Sequence, residues 1–112
     1  MNIGELIKVI DGDLLTQNNC VNDMKIENVY IGDLLSWVMS HAQKGEAWIT
    51  VLTNVNVTAV AMMTDVACVI VPEGIEVEEL TLKKANEKGI CIIGSQYSAF
   101  EISKRIVNSN LL

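Results

Sequence analysis

Along this chain the spacing of apolar residues alternates between a helical period and short continuous runs. Leu34, Leu35, Val38 and Ala42 recur at near-helical spacing, which predicts a helix over 33–43, with Asp33 at its start and Gly45 just past its end. The β-branched run Trp48-Ile49-Thr50-Val51-Leu52-Thr53 has the length of a strand. Val57, Val60, Ala61 and Thr64 then fall at i, i+3, i+4 and i+7, so a short helix follows, and residues 67–71 form a second buried strand. The helix predicted over 76–88 is marked by charge: Glu73, Glu76, Glu78 and Glu79 cluster near its start, and Lys83, Lys84 and Lys88 lie toward its end. That order complements the helix dipole and lets Lys83 pair with Glu79 or Glu87, and Gly89 closes the helix. Residues 90–93 read as a third strand. Ser98-Ala99-Phe100-Glu101 has the form of a capping box and opens a helix over 99–108, expected to bury Phe100, Ile102 or Ser103, Ile106 and Val107.

The first third is less regular. It predicts a helix over 3–10 and short strands near 14–16 and 28–31, separated by turns rich in Asn and Asp. From residue 47 onward strands alternate with helices, and strands apolar on both faces belong to a parallel sheet covered on both sides. The expected fold is α/β: a compact three-layer domain with a mainly parallel sheet and right-handed crossovers. There is no internal repeat and no linker, so residues 1–112 form one domain, with the regular βα core at about 27–107.

Composition narrows the classes of function. Half of the 112 residues are hydrophobic, enough for a core that needs neither disulfide nor metal. The net charge of −6 repels phosphate backbones and argues against a nucleic-acid partner. No apolar run approaches the ~18 residues of a membrane span, and the first residues lack the pattern of a secretory signal, so a cytoplasmic setting is expected. The cysteines, Cys20, Cys68 and Cys91, include no C-x-x-C pair. This argues against a disulfide framework and against a zinc or iron–sulfur site made by one chain. Cys68 and Cys91 sit in apolar strands and read as small buried hydrophobes. No metal and no cofactor is expected.

Candidate chemistry concentrates at one end of the predicted sheet, because ligands of open α/β sheets bind outside the carboxyl ends of the strands. The loops there contribute Asn54, Asn56, Glu73, Gly74, Gly94, Ser95 and Ser98 as ligand-binding candidates. They contain no Lys or Arg, and Glu73 adds negative charge, so a polyphosphate would find no cation. The competing reading makes these residues helix caps and turns. Phosphate-loop, dinucleotide and nucleophile-elbow motifs are absent, and no catalytic residue is assigned. The single histidine, His41, shares a helix face with Asp33 and Trp37. That stripe is either a binding surface or the packing of Trp37 on a neighbouring element. Between Glu46 and Glu73 only Asp65 is charged. The helix inside that stretch must still expose a side, which would show Thr58, Ala59, Met62 or Met63. Such an apolar, methionine-bearing face suggests self-association, with Ala59, Met62, Met63 and Trp37 as interface candidates.

Over about residues 27–107 the sequence resembles a DRTGG domain. The likeness rests on Val29-Tyr30-Ile31-Gly32-Asp33-Leu34-Leu35-Ser36, Trp48-Ile49-Thr50 and Asn56-Val57-Thr58-Ala59-Val60-Ala61. It continues through Ala67-Cys68-Val69-Ile70-Val71-Pro72-Glu73-Gly74, Ala85-Asn86-Glu87-Lys88-Gly89-Ile90 and Ser98-Ala99-Phe100-Glu101. The resemblance implies a regulatory α/β module, similar to the N-terminal domain of HPr kinase/phosphorylase and to modules in phosphate acetyltransferases and CBS-containing pyrophosphatases. It further implies no catalytic residues of its own, a place at dimer interfaces, and freestanding relatives in bacteria and archaea, some near hydrogenase genes. The name-giving Thr-Gly-Gly falls at Pro72-Glu73-Gly74, and there is no Asp-Arg pair; Gly74 still allows the turn. The expected function is a non-catalytic, homodimeric regulatory or protein-interaction module, accessory to a metabolic or redox enzyme. The alternative is a small-ligand sensor binding a nucleotide or metabolite at the carboxyl-end loops. An enzyme would require His41 or a cysteine beside a pocket.

Overall fold

A computed structural model describes residues 1–17 and 24–112. Ten elements follow one another: α1 (Ile3–Val9), β1 (Asp13–Leu14), β2 (Asn28–Ile31), α2 (Leu35–His41), β3 (Glu46–Ile49), α3 (Asn56–Thr64), β4 (Cys68–Val71), α4 (Glu79–Lys88), β5 (Ile92–Gly94) and α5 (Ala99–Asn108). The sheet order is β1-β5-β4-β3-β2, parallel except for β1, which runs antiparallel to β5. This is the α/β architecture that the alternation predicted. The Asn-rich turn at 18–19 and Cys20 lie outside the described residues.

Side chains of a strand alternate between faces, so the sheet separates two cores. Ala47, Ile49, Cys68, Ile70 and Ile93 point to one side and pack with Ile3, Leu6 and Ile10 of the first helix and its cap, and with Ile102 and Ile106 of α5. Trp48, Val69, Val71 and Ile92 point to the other, against Val38 of α2, Val57, Val60 and Ala61 of α3, and Ala85 of α4. Helices therefore cover both faces, two on one side and three on the other. Trp48 is fully buried, and its indole Nε1–H donates to the Gly32 carbonyl at 2.9 Å, which satisfies its polar edge.

Several local expectations are corrected by packing. The helix expected over 33–43 begins at Leu35, and Asp33 does not cap it: its carboxylate is engaged by Thr50 and Val51 in the loop after β3. The strand expected over 48–53 ends at Ile49, because β2 stops opposite it and Asp33 Oδ1 takes the Val51 N–H at 2.9 Å. The helix expected over 76–88 starts at Glu79, so Glu73, Glu76 and Glu78 precede its first turn. Its ion pair is Lys84 with Glu87 at 3.5 Å rather than a Lys83 pair. Ser98 does cap α5, accepting from the Glu101 N–H at 3.1 Å, but the Glu101 carboxylate turns to Arg105 and Lys104 instead of closing the box. Phe100 and Val107 are 74% and 64% exposed, while Ile102 and Ile106 are fully buried. Thr58 is buried, its hydroxyl donating to Val55 O at 2.7 Å.

Candidate functional site

Four loops meet at the carboxyl end of the parallel strands and are tied to one another by hydrogen bonds. Asp33 Oδ1, after β2, accepts from the Thr50 hydroxyl and the Val51 N–H, both at 2.9 Å, after β3. Thr81 of α4, fully buried, donates its hydroxyl to Thr53 O at 2.7 Å. The loops after β4 and β5 share a short backbone ladder: Glu73 N–H donates to Tyr97 O and Gly74 N–H to Ser95 O, each at 2.9 Å. Glu73 and Gly74 both have left-handed backbones, with φ of 60° and 65°, so this turn folds back sharply before α4. A Cβ on Gly74 would lie 2.6 Å from Gln96 Oε1, because the glutamine side chain lies across the glycine. Glycine is favoured here chiefly by its φ, since the close approach is to the flexible end of the Gln96 side chain.

Beside this ladder lies a cavity of about 420 Å³, lined by Gly74, Ile75, Glu76, Val77 and Leu82 on the α4 side and by Asp13, Leu15, Gly94, Ser95 and Gln96 on the β1–β5 side. Its walls are largely aliphatic, its charged groups are the carboxylates of Asp13 and Glu76, and no Lys or Arg lines it. Such a chamber accommodates a small neutral or amine-bearing group better than a phosphate.

Of the seven residues expected at a ligand site, Gly74, Gly94 and Ser95 line this cavity. Ser95 is buried; its hydroxyl donates to Ile10 O at 2.9 Å and accepts from the Tyr97 N–H at 3.3 Å, so it fixes the loop. Glu73 is exposed beside the ladder. Asn54 is placed at the entrance of α3, where its Oδ1 accepts from the Asn56 N–H at 3.0 Å; Asn56 is exposed there. Ser98 is the α5 cap. Sequence reasoning missed Asp13 and Leu15, which reach the cavity through the antiparallel β1–β5 pairing, and Leu82, which α4 brings in from the side.

The remaining candidates lie elsewhere. Ala59, Met62 and Met63 are on the outward side of α3, with Met63 70% exposed. Trp37 is 57% exposed and stacks on His41, ring centroids 3.9 Å apart and 13° from parallel, instead of packing on a neighbouring element. Asp33 leaves that stripe for the loop after β3. Cys68 is a free thiol, and complete burial pushes its pKa from 9.0 up to about 12. Cys91 is also buried but is disulfide-bonded, contrary to the reading that made it a simple small hydrophobe. Among the described residues no group of three or more His, Cys, Asp or Glu could hold a metal ion, and no helix is long and apolar enough to cross a membrane.

The profile of the DRTGG domain matches residues 5–109, nearly the whole chain. The protein belongs to the DRTGG domain family. Among solved structures, this DRTGG domain is similar to the CBS and DRTGG domains of the regulatory region of Clostridium perfringens pyrophosphatase, complexed with its activator, diadenosine tetraphosphate. The TM-score is 0.79 at 16% sequence identity, and the match covers 96% of this chain and 46% of that one. The chain therefore spans about half the length of that relative. No curated protein matches.

Proposed function

We propose that this DRTGG domain is a non-catalytic regulatory module that works by binding, first to a second copy of itself and then to a metabolic or redox enzyme of the hydrogenase type, in the cytoplasm of a bacterium or archaeon. The observation that carries the reading is the exposure of large apolar side chains on well-packed helices: Trp37 on α2, and Met62 and Met63 beside Ala59 on α3. Large apolar side chains held out to solvent on two helices of a small domain support an interaction surface there. The kinship to a domain of a pyrophosphatase regulatory region supports the regulatory role. Sedimentation velocity over a concentration series tests it: the reading expects a dimer at micromolar concentration, and a monomer throughout overturns it.

A second reading, a small-ligand sensor, is favoured by the 420 Å³ cavity, where Gly74, Gly94 and Ser95 of the expected ligand residues converge. Thermal-shift assays with adenosine, adenine nucleotides and acyl phosphates test it, because a ligand at 100 times its dissociation constant adds about 2.7 kcal/mol. The carboxylates of Asp13 and Glu76 favour adenosine over its phosphorylated forms. Absence of a shift with every compound sinks this reading.

A further inference from the structure

Two separate stretches of sequence each bring a carboxylate to the 420 Å³ cavity. Asp13 is the first residue of β1, and the β1–β5 pairing sets it opposite Gly94. Glu76 lies between the Gly74 turn and the start of α4. Both residues are exposed, and among the described residues neither carboxylate is in an ion pair. Among the same residues no group of three or more ligating side chains could hold a metal ion. Two carboxylates that line one cavity without a cation between them leave a negative potential there.

The rest of the lining sets the shape of what that potential attracts. Leu15 stands on the β1–β5 side, and Ile75, Val77 and Leu82 stand on the α4 side. No aromatic residue lines the cavity, so a base or other flat ring has no face to stack on, whereas a saturated chain meets aliphatic groups on both sides. Gly94 adds room. Its φ is not positive, so the backbone does not require glycine, and a Cβ there would come within 3.3 Å of Leu15 Cδ1. A glycine in a strand often stands where a ligand or another chain segment approaches closely.

We propose that this cavity binds an aliphatic primary amine, its chain between Leu15 and Leu82 and its ammonium held by Asp13 and Glu76. The inference rests on the small-ligand reading above and names its ligand class. A primary amine is protonated at neutral pH and offers its N–H donors to carboxylate oxygens, while its chain leaves water for the aliphatic walls. An anionic ligand meets the reverse, because no Lys or Arg lines the cavity. The net charge of −6 also favours the approach of a cation over that of an anion.

The test is isothermal titration calorimetry of the full chain with n-pentylamine, pentanol and valerate, which share an aliphatic body and differ in charge, and with adenosine. Pentylamine binds with a dissociation constant in the millimolar range, pentanol binds about 3-fold more weakly or worse, and valerate does not bind. Raising the ionic strength to about 0.5 M weakens the pentylamine complex. Asp13→Asn and Glu76→Gln each raise its dissociation constant by about 3-fold and together by about 10-fold, modest steps because exposed ion pairs are screened by water. Asp65→Asn, before β4 at the other end of the sheet, leaves it unchanged. Circular dichroism checks that each variant is folded, and the salt series stands on wild type alone should a variant not fold. Pentanol binding as tightly as pentylamine, or pentylamine binding unmoved by salt and by the folded double variant, overturns the amine assignment. Adenosine binding where pentylamine does not overturns it too, while leaving the sensor reading standing. Binding by none of these compounds, or by the nucleotides and acyl phosphates of the thermal-shift assays, overturns both.

Discussion

Removing the Asp33 carboxylate should cost more than the loss of an ordinary surface acid, because its Oδ1 fastens the loop after β2 to the loop after β3. Asp33→Ala deletes two charge-assisted hydrogen bonds of 2.9 Å. Bonds to charged groups contribute about 1.5–3 kcal/mol each, and a buried donor left without an acceptor costs about 1–3 kcal/mol. Thr50 is 1% exposed, so its hydroxyl has no ready access to water, whereas the Val51 N–H lies in an exposed segment and rehydrates. The expected loss is about 2–3 kcal/mol, mostly from Thr50, equivalent to a fall in Tm of about 10 °C for a domain of this size. Asp33→Asn keeps an oxygen at the same place and should lose about 1 kcal/mol or less. Adding Thr50→Val to Asp33→Ala removes the orphaned hydroxyl, so the double variant should be less unstable than the sum of the singles. Urea denaturation followed by circular dichroism, at one protein concentration for all variants, measures these differences. Asp33→Ala within about 0.5 kcal/mol of wild type, the scatter of surface substitutions, refutes the clamp.

Three further outcomes follow from the same packing. Gly74→Ala should lose about 1–2 kcal/mol in thermal melts from its left-handed backbone, and Gln96→Ala in the same chain should relieve only the steric part, since the 2.6 Å clash is with a flexible side-chain end. Ile102→Ala and Ile106→Ala should each cost about 2–5 kcal/mol, while Phe100→Ser and Val107→Ser stay within about 0.5 kcal/mol; reversed ranks would restore the burial read from the sequence. The Cys68 thiol, raised from 9.0 to about 12 by burial, keeps its proton in the folded state while the unfolded chain loses it. The folded form therefore binds more protons above pH 9, and stability falls there as pH rises, with no contribution from this group below it. Cys68→Ala should make that decline shallower by this group's share, and native Cys68 should resist thiol labelling at neutral pH until the chain unfolds.

The sequence was most informative where one period dominated a segment. The β4 run is apolar on both faces, and only a central strand buries both, so its place was legible. The α5 sequence carries Ile102 and Ile106 on one side and Phe100 and Val107 on another. Both sets satisfy a helical period, and the sheet alone decides which is buried. Asp33 stands where a helix cap would stand, yet its oxygen reaches residues 17 and 18 positions away, a tertiary choice that no local pattern encodes. The cavity was half legible for the same reason. Gly74, Gly94 and Ser95 follow from the rule about strand ends, but Asp13 arrives through a two-residue antiparallel pairing too short to leave a periodic signal.

The central claim, a regulatory module built to self-associate, is tested most directly by small-angle X-ray scattering from the full chain at micromolar concentration. One copy has a Cα radius of gyration of 12.2 Å. A compact body of twice the length has about 17 Å. The account predicts a forward scattering intensity of two chains with a radius of at least that size. A single-chain intensity with a radius near 12.2 Å contradicts it.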